Sequence, residues 1–186
     1  MTPHERLVEM LATRSARRGS FTLASGRQSD LYIDARLTTM SPDGLATIGP
    51  LGLAALREAR WNADAVGGLT IGADPVAYAI AHASALAGTP LRSFTVRKEP
   101  KSHGTGKRIE GPFREGDRVV VVEDTITTGG SALEAVRIVR AEGGTVLGVL
   151  AVVDREEGGR EALRAAGVSV VSLTRAAEVV ARMPAQ

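Results

Sequence analysis

The feature that most constrains this chain is the run Val119-Val120-Val121-Val122-Glu123-Asp124-Thr125-Ile126-Thr127-Thr128-Gly129-Gly130-Ser131-Ala132. Four consecutive valines without polar alternation suit a strand covered on both faces, as in a parallel sheet. The strand is expected to end at the two carboxylates. From Thr127 to Ser131 the residues are small, so backbone N–H groups can approach a ligand closely, and a helix beginning near Ser131 aims its positive dipole end at the same place. That arrangement suits an anion. Carboxylates repel phosphate, so Glu123 and Asp124 call for a different partner, and vicinal ribose hydroxyls, which donate to carboxylates, supply one. The run thus reads as a sugar-phosphate site, with a 5′-phosphate held by the hydroxyl and amide groups of residues 125–131. The plainer alternative is a strand-turn-helix connection whose acids are solvated. Neither a Walker Gly-Lys-Ser/Thr nor the Gly-x-Gly-x-x-Gly spacing of a dinucleotide fold is present.

A chain of 186 residues can build one domain with a sizeable core, and no Pro/Ser-rich linker divides it. Cysteine is absent, which removes disulfides, thiol catalysis and thiolate metal sites and leaves oxygen to hold any metal. The net charge of +2 comes from 23 basic and 21 acidic residues spread along the chain, so nucleic-acid binding is not implied. No signal-like start and no run of about eighteen apolar residues is seen, so no membrane association and a cytoplasmic location are expected.

Taken in order, Thr2-Pro3-His4-Glu5 caps a helix expected to reach about Arg17, with Arg14, Arg17 and Arg18 near its end and Gly19 as its stop. Residues 21–34 alternate as a hairpin around Ser25-Gly26. Ser41-Pro42-Asp43 opens a second helix, which Pro50 should kink or restart. Asp64 to Pro75 reads as a strand ending in a glycine loop that could hold a second anion, followed by a helix with Asp74 as N-cap. The strand Leu91 to Val96 leads into Arg97-Lys98-Glu99-Pro100-Lys101-Ser102-His103-Gly104-Thr105-Gly106-Lys107-Arg108, basic and glycine-rich without apolar periodicity, which reads as a mobile loop. Strands at 119–123, 146–153 and 168–173 alternate with helices near 131–142 and 159–166. The fold expected is α/β, a doubly wound, mostly parallel sheet flanked by helices, with ligands at the carboxyl ends of its strands.

The order of apolar strand, two acids and Thr-Ile-Thr-Thr-Gly-Gly-Ser resembles the signature of the type I phosphoribosyltransferases, which bind 5-phosphoribosyl 1-diphosphate. Phe21-Thr22-Leu23-Ala24-Ser25-Gly26-Arg27-Gln28-Ser29, the run Arg97-Lys98-Glu99-Pro100-Lys101-Ser102-His103-Gly104 and the pair Asp154-Arg155 are similar to stretches of the orotate phosphoribosyltransferases. The resemblance covers about Phe21 to Arg155. It implies a single phosphoribosyltransferase domain over 1–186, with residues 19–40 as a small N-terminal β hood and 97–112 as the catalytic loop. It implies transfer of the phosphoribosyl group to orotate, giving orotidine 5′-monophosphate and pyrophosphate for pyrimidine synthesis.

The same resemblance assigns the site. The donor is expected on Arg97, Lys98, Lys101 and His103, on the backbone of Thr70, Ile71 and Gly72, and on Glu123 to Ser131. Orotate is expected against Tyr32, Ile33 and Thr127, with Arg155 on its carboxylate. Lys101, His103, Glu123 and Asp124 are the expected catalytic groups. Mg²⁺ is implied, bound mainly by substrate oxygens and water with no direct protein ligand. A homodimer with active sites shared between subunits is implied too. The chain departs from the family where many members carry Lys at position 24 and Tyr-Lys at 71–72, and its Tyr32-Ile33 stands where an aromatic pair flanks orotate. Without the resemblance, an ion pair of Arg155 with Glu156 or Glu157 is as good a reading as a carboxylate-binding role. Two other readings are a type I transferase for a purine base, against which the hood, Asp154-Arg155 and the basic loop argue, and a non-catalytic regulator that senses the donor, against which Lys101 and His103 argue.

Overall fold

The computed structural model describes residues 1–22, 28–99 and 107–184. A six-stranded sheet forms the centre, built from β3 (Ala65–Leu69), β4 (Arg92–Val96), β5 (Ile109–Glu110), β6 (Arg118–Ile126), β7 (Thr145–Asp154) and β8 (Val170–Arg175) in the order β5-β4-β3-β6-β7-β8. All neighbours pair in parallel except β4 and β5. The chain winds outward from β3 to β4, then crosses to β6 on the other side of β3 and winds the opposite way. The switch between β3 and β6 opens a crevice at the carboxyl ends of those two strands.

Alternation along β6 explains the layers. Val120 and Val122 enter one apolar cluster with Leu7, Leu11, Ile48, Ile80 and Val179, while Val119 and Val121 enter a second with Ala135, Val136, Val139 and Leu163. The first cluster lies under α1 (Pro3–Met10), α3 (Pro42–Glu58), α4 (Ala73–Leu86) and α7 (Ala176–Arg182); the second lies under α5 (Gly130–Ala141) and α6 (Gly159–Ala165). Full burial on both faces is why the valine run needs no polar alternation.

Several boundaries differ from expectation. The first helix keeps its capping box, with the Glu5 N–H donating to Thr2 Oγ1 at 3.2 Å, but it passes into a π-helical turn at Leu11–Ser15 rather than reaching Arg17. Arg17, Arg18 and Gly19 lie in β1 (Ala16–Thr22), which pairs antiparallel with β2 (Gln28–Ile33) in a separate two-stranded sheet. Pairing of Ala16 with Ile33 and Arg17 with Tyr32 outweighs the local helix-end signal. Arg14 binds Asp43 through both guanidinium nitrogens, at 2.8 and 2.6 Å, instead of capping α1. Pro50 neither stops nor restarts α3. It forfeits one backbone bond, and the face beside it packs so closely on α4 that a Cβ at Gly52 would lie 2.6 Å from Ile80 Cδ1.

Asp74 is not an N-cap, because α4 begins at Ala73 with Gly72 as its cap. The basic segment does not stay a loop to residue 112, since Ile109 and Glu110 pair with Val96 and Thr95. Strand β8 sits two residues later than expected, and both α7 and the short α2 (Arg36–Thr39) were unforeseen. Most consequential for the site, β6 does not end at the acids but continues through Glu123 and Asp124 to Ile126 by pairing with β7.

Candidate active site

A cavity of about 360 Å³ opens where the strand order reverses. The end of β3 and the turn after it supply Leu69, Thr70, Ile71 and Gly72; β6 and the turn after it supply Glu123, Asp124, Thr125, Thr127 and Thr128, with Ser131 from the start of α5. Tyr32 and Ile33 come from β2, Asp34, Ala35 and Arg36 from its end, Lys98 from beyond β4, and Arg155 and Glu157 from beyond β7.

Each wall has a physical anchor. The Asp74 carboxylate accepts from Thr70 Oγ1 at 2.7 Å and from Thr95 Oγ1 at 2.8 Å, tying the first turn to α4 and β4. The Thr70–Ile71 peptide is cis. A Cβ at Gly72 would lie 2.6 Å from Asp124 Oδ1, so this turn and the acid pair meet directly. The second turn reverses at Gly129, which caps α5 at φ +84°, a left-handed conformation that favours glycine. Gly130 next to it faces open space.

The two acids differ. Glu123 is 5 % exposed, and burial, reinforced by Asp124 and opposed by Lys98, lifts its carboxyl well above the ordinary range. Asp124 is half-buried and also raised, through burial first; a bond from the Thr125 N–H at 2.7 Å and the charge of Arg36 oppose the rise, while Asp34 adds to it. Among the described residues, Glu123 Oε1 and Thr125 Oγ1 are buried without a hydrogen-bond partner, and both residues line the cavity. Such atoms suit a polar ligand rather than apolar packing.

Arg155, only 4 % exposed in its side chain, binds Glu157 Oε1 at 2.7 Å and the Leu31 carbonyl at 2.9 Å. Of the two acids considered for it, Glu157 is the partner. Asp154 turns away and binds Arg160 at 2.8 Å. Tyr32 stands against Phe21 with ring centroids 5.3 Å apart, giving this side of the cavity one aromatic surface, whereas Ile33 is 6 % exposed and belongs mostly to the core.

Some expected ligands are not cavity-lining. Ile126 is a core residue whose carbonyl accepts the Arg155 N–H at 2.9 Å, because the strand runs on past the acids. Gly129 and Gly130 shape the turn from behind. Arg97 sits 3.6 Å from Glu110 and outside the cavity wall. Lys101 and His103, like Ala24, lie outside the described residues. Conversely, Asp34 and Arg36 were not foreseen, and Glu157 was weighed only as an ion-pair partner of Arg155, not as part of the cavity wall. The Asp-x-Arg spacing of 34 and 36 was a visible signal: Asp34 accepts from Arg36 Nε at 2.8 Å and Nη2 at 3.0 Å.

Among the described residues no group of three His, Asp or Glu side chains could hold a metal ion. No helix there is long and apolar enough to cross a membrane. The family model for the phosphoribosyl transferase domain matches residues 51–182. An orotate phosphoribosyltransferase from Aquifex aeolicus (strain VF5) is 45 % identical over 183 residues, covering 97 % of this chain and 99 % of that protein. The crystal structure of Mycobacterium tuberculosis H37Rv orotate phosphoribosyltransferase with Fe(III) dicitrate superposes with a TM-score of 0.85 at 44 % identity, covering 96 % of this chain and 99 % of the other. The same enzyme in complex with 5-phospho-α-D-ribosyl 1-diphosphate gives a TM-score of 0.78 at 41 % identity over the same shares.

Proposed function

The chain belongs to the orotate phosphoribosyltransferases of the phosphoribosyl transferase family, and from that premise we propose how its cavity carries out their reaction. It is a pentosyltransferase that moves the phosphoribosyl group of 5-phosphoribosyl 1-diphosphate to orotate, releasing pyrophosphate and forming orotidine 5′-monophosphate. The observation that carries the assignment of roles is the meeting, in one cavity, of the Thr70–Gly72 turn, the Glu123–Asp124 pair, the Thr127–Ser131 turn and Arg155.

The 5′-phosphate sits on the Thr127–Ser131 turn, where small side chains and the N-terminus of α5 favour an anion. The ribose hydroxyls donate to Glu123 and Asp124. The pyrophosphate lies along the backbone of Thr70 to Gly72, with Lys98 beside it and Lys101 and His103 closing over it. Orotate packs on Tyr32 near Thr127 and sets its carboxylate against Arg155, whose planar fork matches a carboxylate. As the C1′–pyrophosphate bond lengthens, positive charge grows on the ribose, and an ionised Asp124 at the ring stabilises it more in the transition state than in the ground state. N1 of orotate then bonds to C1′ from the opposite face, with inversion; the electron pair of the broken C1′–O bond leaves on pyrophosphate, and the N1 proton passes to the released pyrophosphate or to water.

Mg²⁺, held by substrate oxygens and water, would supply charge neutralisation for the departing pyrophosphate. Residues 1–186 act as one domain, with 19–40 as the hood. The catalytic segment ends before β5. Two copies share their sites, each lending Lys101 and His103 to the other. Pyrophosphate release measured with orotate, uracil and purine bases tests the assignment: release should require orotate and Mg²⁺, and release with a purine base in place of orotate would overturn it.

A further inference from the structure

Resting on the reading of the cavity given above, we propose that Arg36, clamped by Asp34, is a positioning residue for the transfer reaction, acting through Asp124 as the cation that this carboxylate faces in the free site. Both residues line the cavity. Asp34 binds the Arg36 backbone N–H at 3.1 Å, Nε at 2.8 Å and Nη2 at 3.0 Å, which fixes the guanidinium although its side chain is 45 % exposed.

The need for such a group follows from the surroundings of Asp124. Glu123 from the same strand and Asp34 from the end of β2 are like charges, and Asp34 adds to the rise that burial causes. Tyr32 from β2 brings no cation. Lys98, beyond β4, acts on Glu123, and Arg155, beyond β7, is bonded to Glu157. Arg36 is the side-chain cation that opposes the burial of Asp124, and Asp124 acts in return on Arg36. An acid that must be ionised to stabilise a cationic ribose, in a wall that disfavours ionisation, depends on that charge. Because Asp34 offsets Arg36, the pair brings little net positive charge toward the ribose. The Asp-x-Arg unit thus preserves one negative charge at the reacting carbon without adding a competing cation.

The test reads the carboxyl directly, without substrate. The Asp124 side-chain carbon is followed by ¹³C NMR against pH in the wild type, Arg36→Gln and Arg36→Lys, with Asp124→Asn identifying the resonance. Arg36→Gln should raise the Asp124 titration by about 0.5–1 pH unit, below the full effect of a close opposite charge because Arg36 is half-exposed. Arg36→Lys should restore most of the change. In turnover, the acid limb of the kcat–pH profile should move up in Arg36→Gln and return in Arg36→Lys. An Asp124 titration unaltered in Arg36→Gln overturns the proposal. Failure of the wild type to transfer to orotate would instead overturn the proposed reaction while leaving the carboxyl titration readable.

Discussion

Replacing Arg155 by alanine separates a structural from a functional use of one buried charge. Its side chain is 4 % exposed and its partner Glu157 is 15 % exposed, so truncation leaves a carboxylate in a mostly dry wall and also removes the donor to the Leu31 carbonyl. Breaking such a pair costs about 3 kcal/mol, which for a chain of this length lowers Tm by about 6–12 °C. On orotate, loss of a charge-assisted contact costs about 2–5 kcal/mol in a dry site, and because Glu157 already occupies part of the guanidinium the lower part of that range applies. About 2–3 kcal/mol corresponds to a rise in orotate KM of about 30- to 150-fold, with preference over uracil falling by a similar factor. The assays are thermal unfolding and steady-state pyrophosphate release with both bases. Arg155→Ala/Glu157→Gln removes the stranded charge, so it should regain most of the lost Tm while the orotate preference stays lost. Recovery of that preference in the double variant, or its survival in the single one, would show that Arg155 only neutralises Glu157.

Asp124→Asn should lower kcat by at least 100-fold, about 2.7 kcal/mol, while Tm holds or rises, because the amide spares the fold an unfavourably buried charge; near-normal turnover in the folded variant refutes its role. Glu123 bears on pH: burial raises its folded-state value above 4.5, so its stabilising effect is complete below about 4.5 and is lost as pH rises through the raised value. Glu123→Gln should therefore gain in Tm over the wild type as pH rises above about 4.5, and a gap that does not change with pH would contradict the burial argument. Site sharing is tested by dissociating, mixing equally and reassociating Lys101→Ala and Asp124→Asn chains: half of the dimers are mixed, each with one intact site, and activity should return to about a quarter of the wild type. No recovery despite verified exchange of subunits excludes a shared site.

Local chemistry in the sequence was enough to determine the α/β class, the parallel sheet and the two glycine turns, because a valine run needs cover on both faces and small residues before a helix invite an anion. The capping of α1 by Thr2 and Glu5 and of α3 by Ser41 was equally local, set by side chains within three residues of the backbone groups they satisfy. What lay beyond the sequence depended on partners distant along the chain. Pairing with β7 carries β6 through the acid pair and puts Ile126 in the core; pairing with β2 draws Arg17 and Arg18 out of the first helix; pairing with β4 converts Ile109 and Glu110 from loop to strand. Burial likewise distinguishes Glu123 from Asp124, two adjacent carboxylates that the sequence treats alike, because desolvation is set by the whole fold around each group. Tertiary structure alone brings Asp34 and Arg36, about ninety residues away in sequence, into the wall that Asp124 faces.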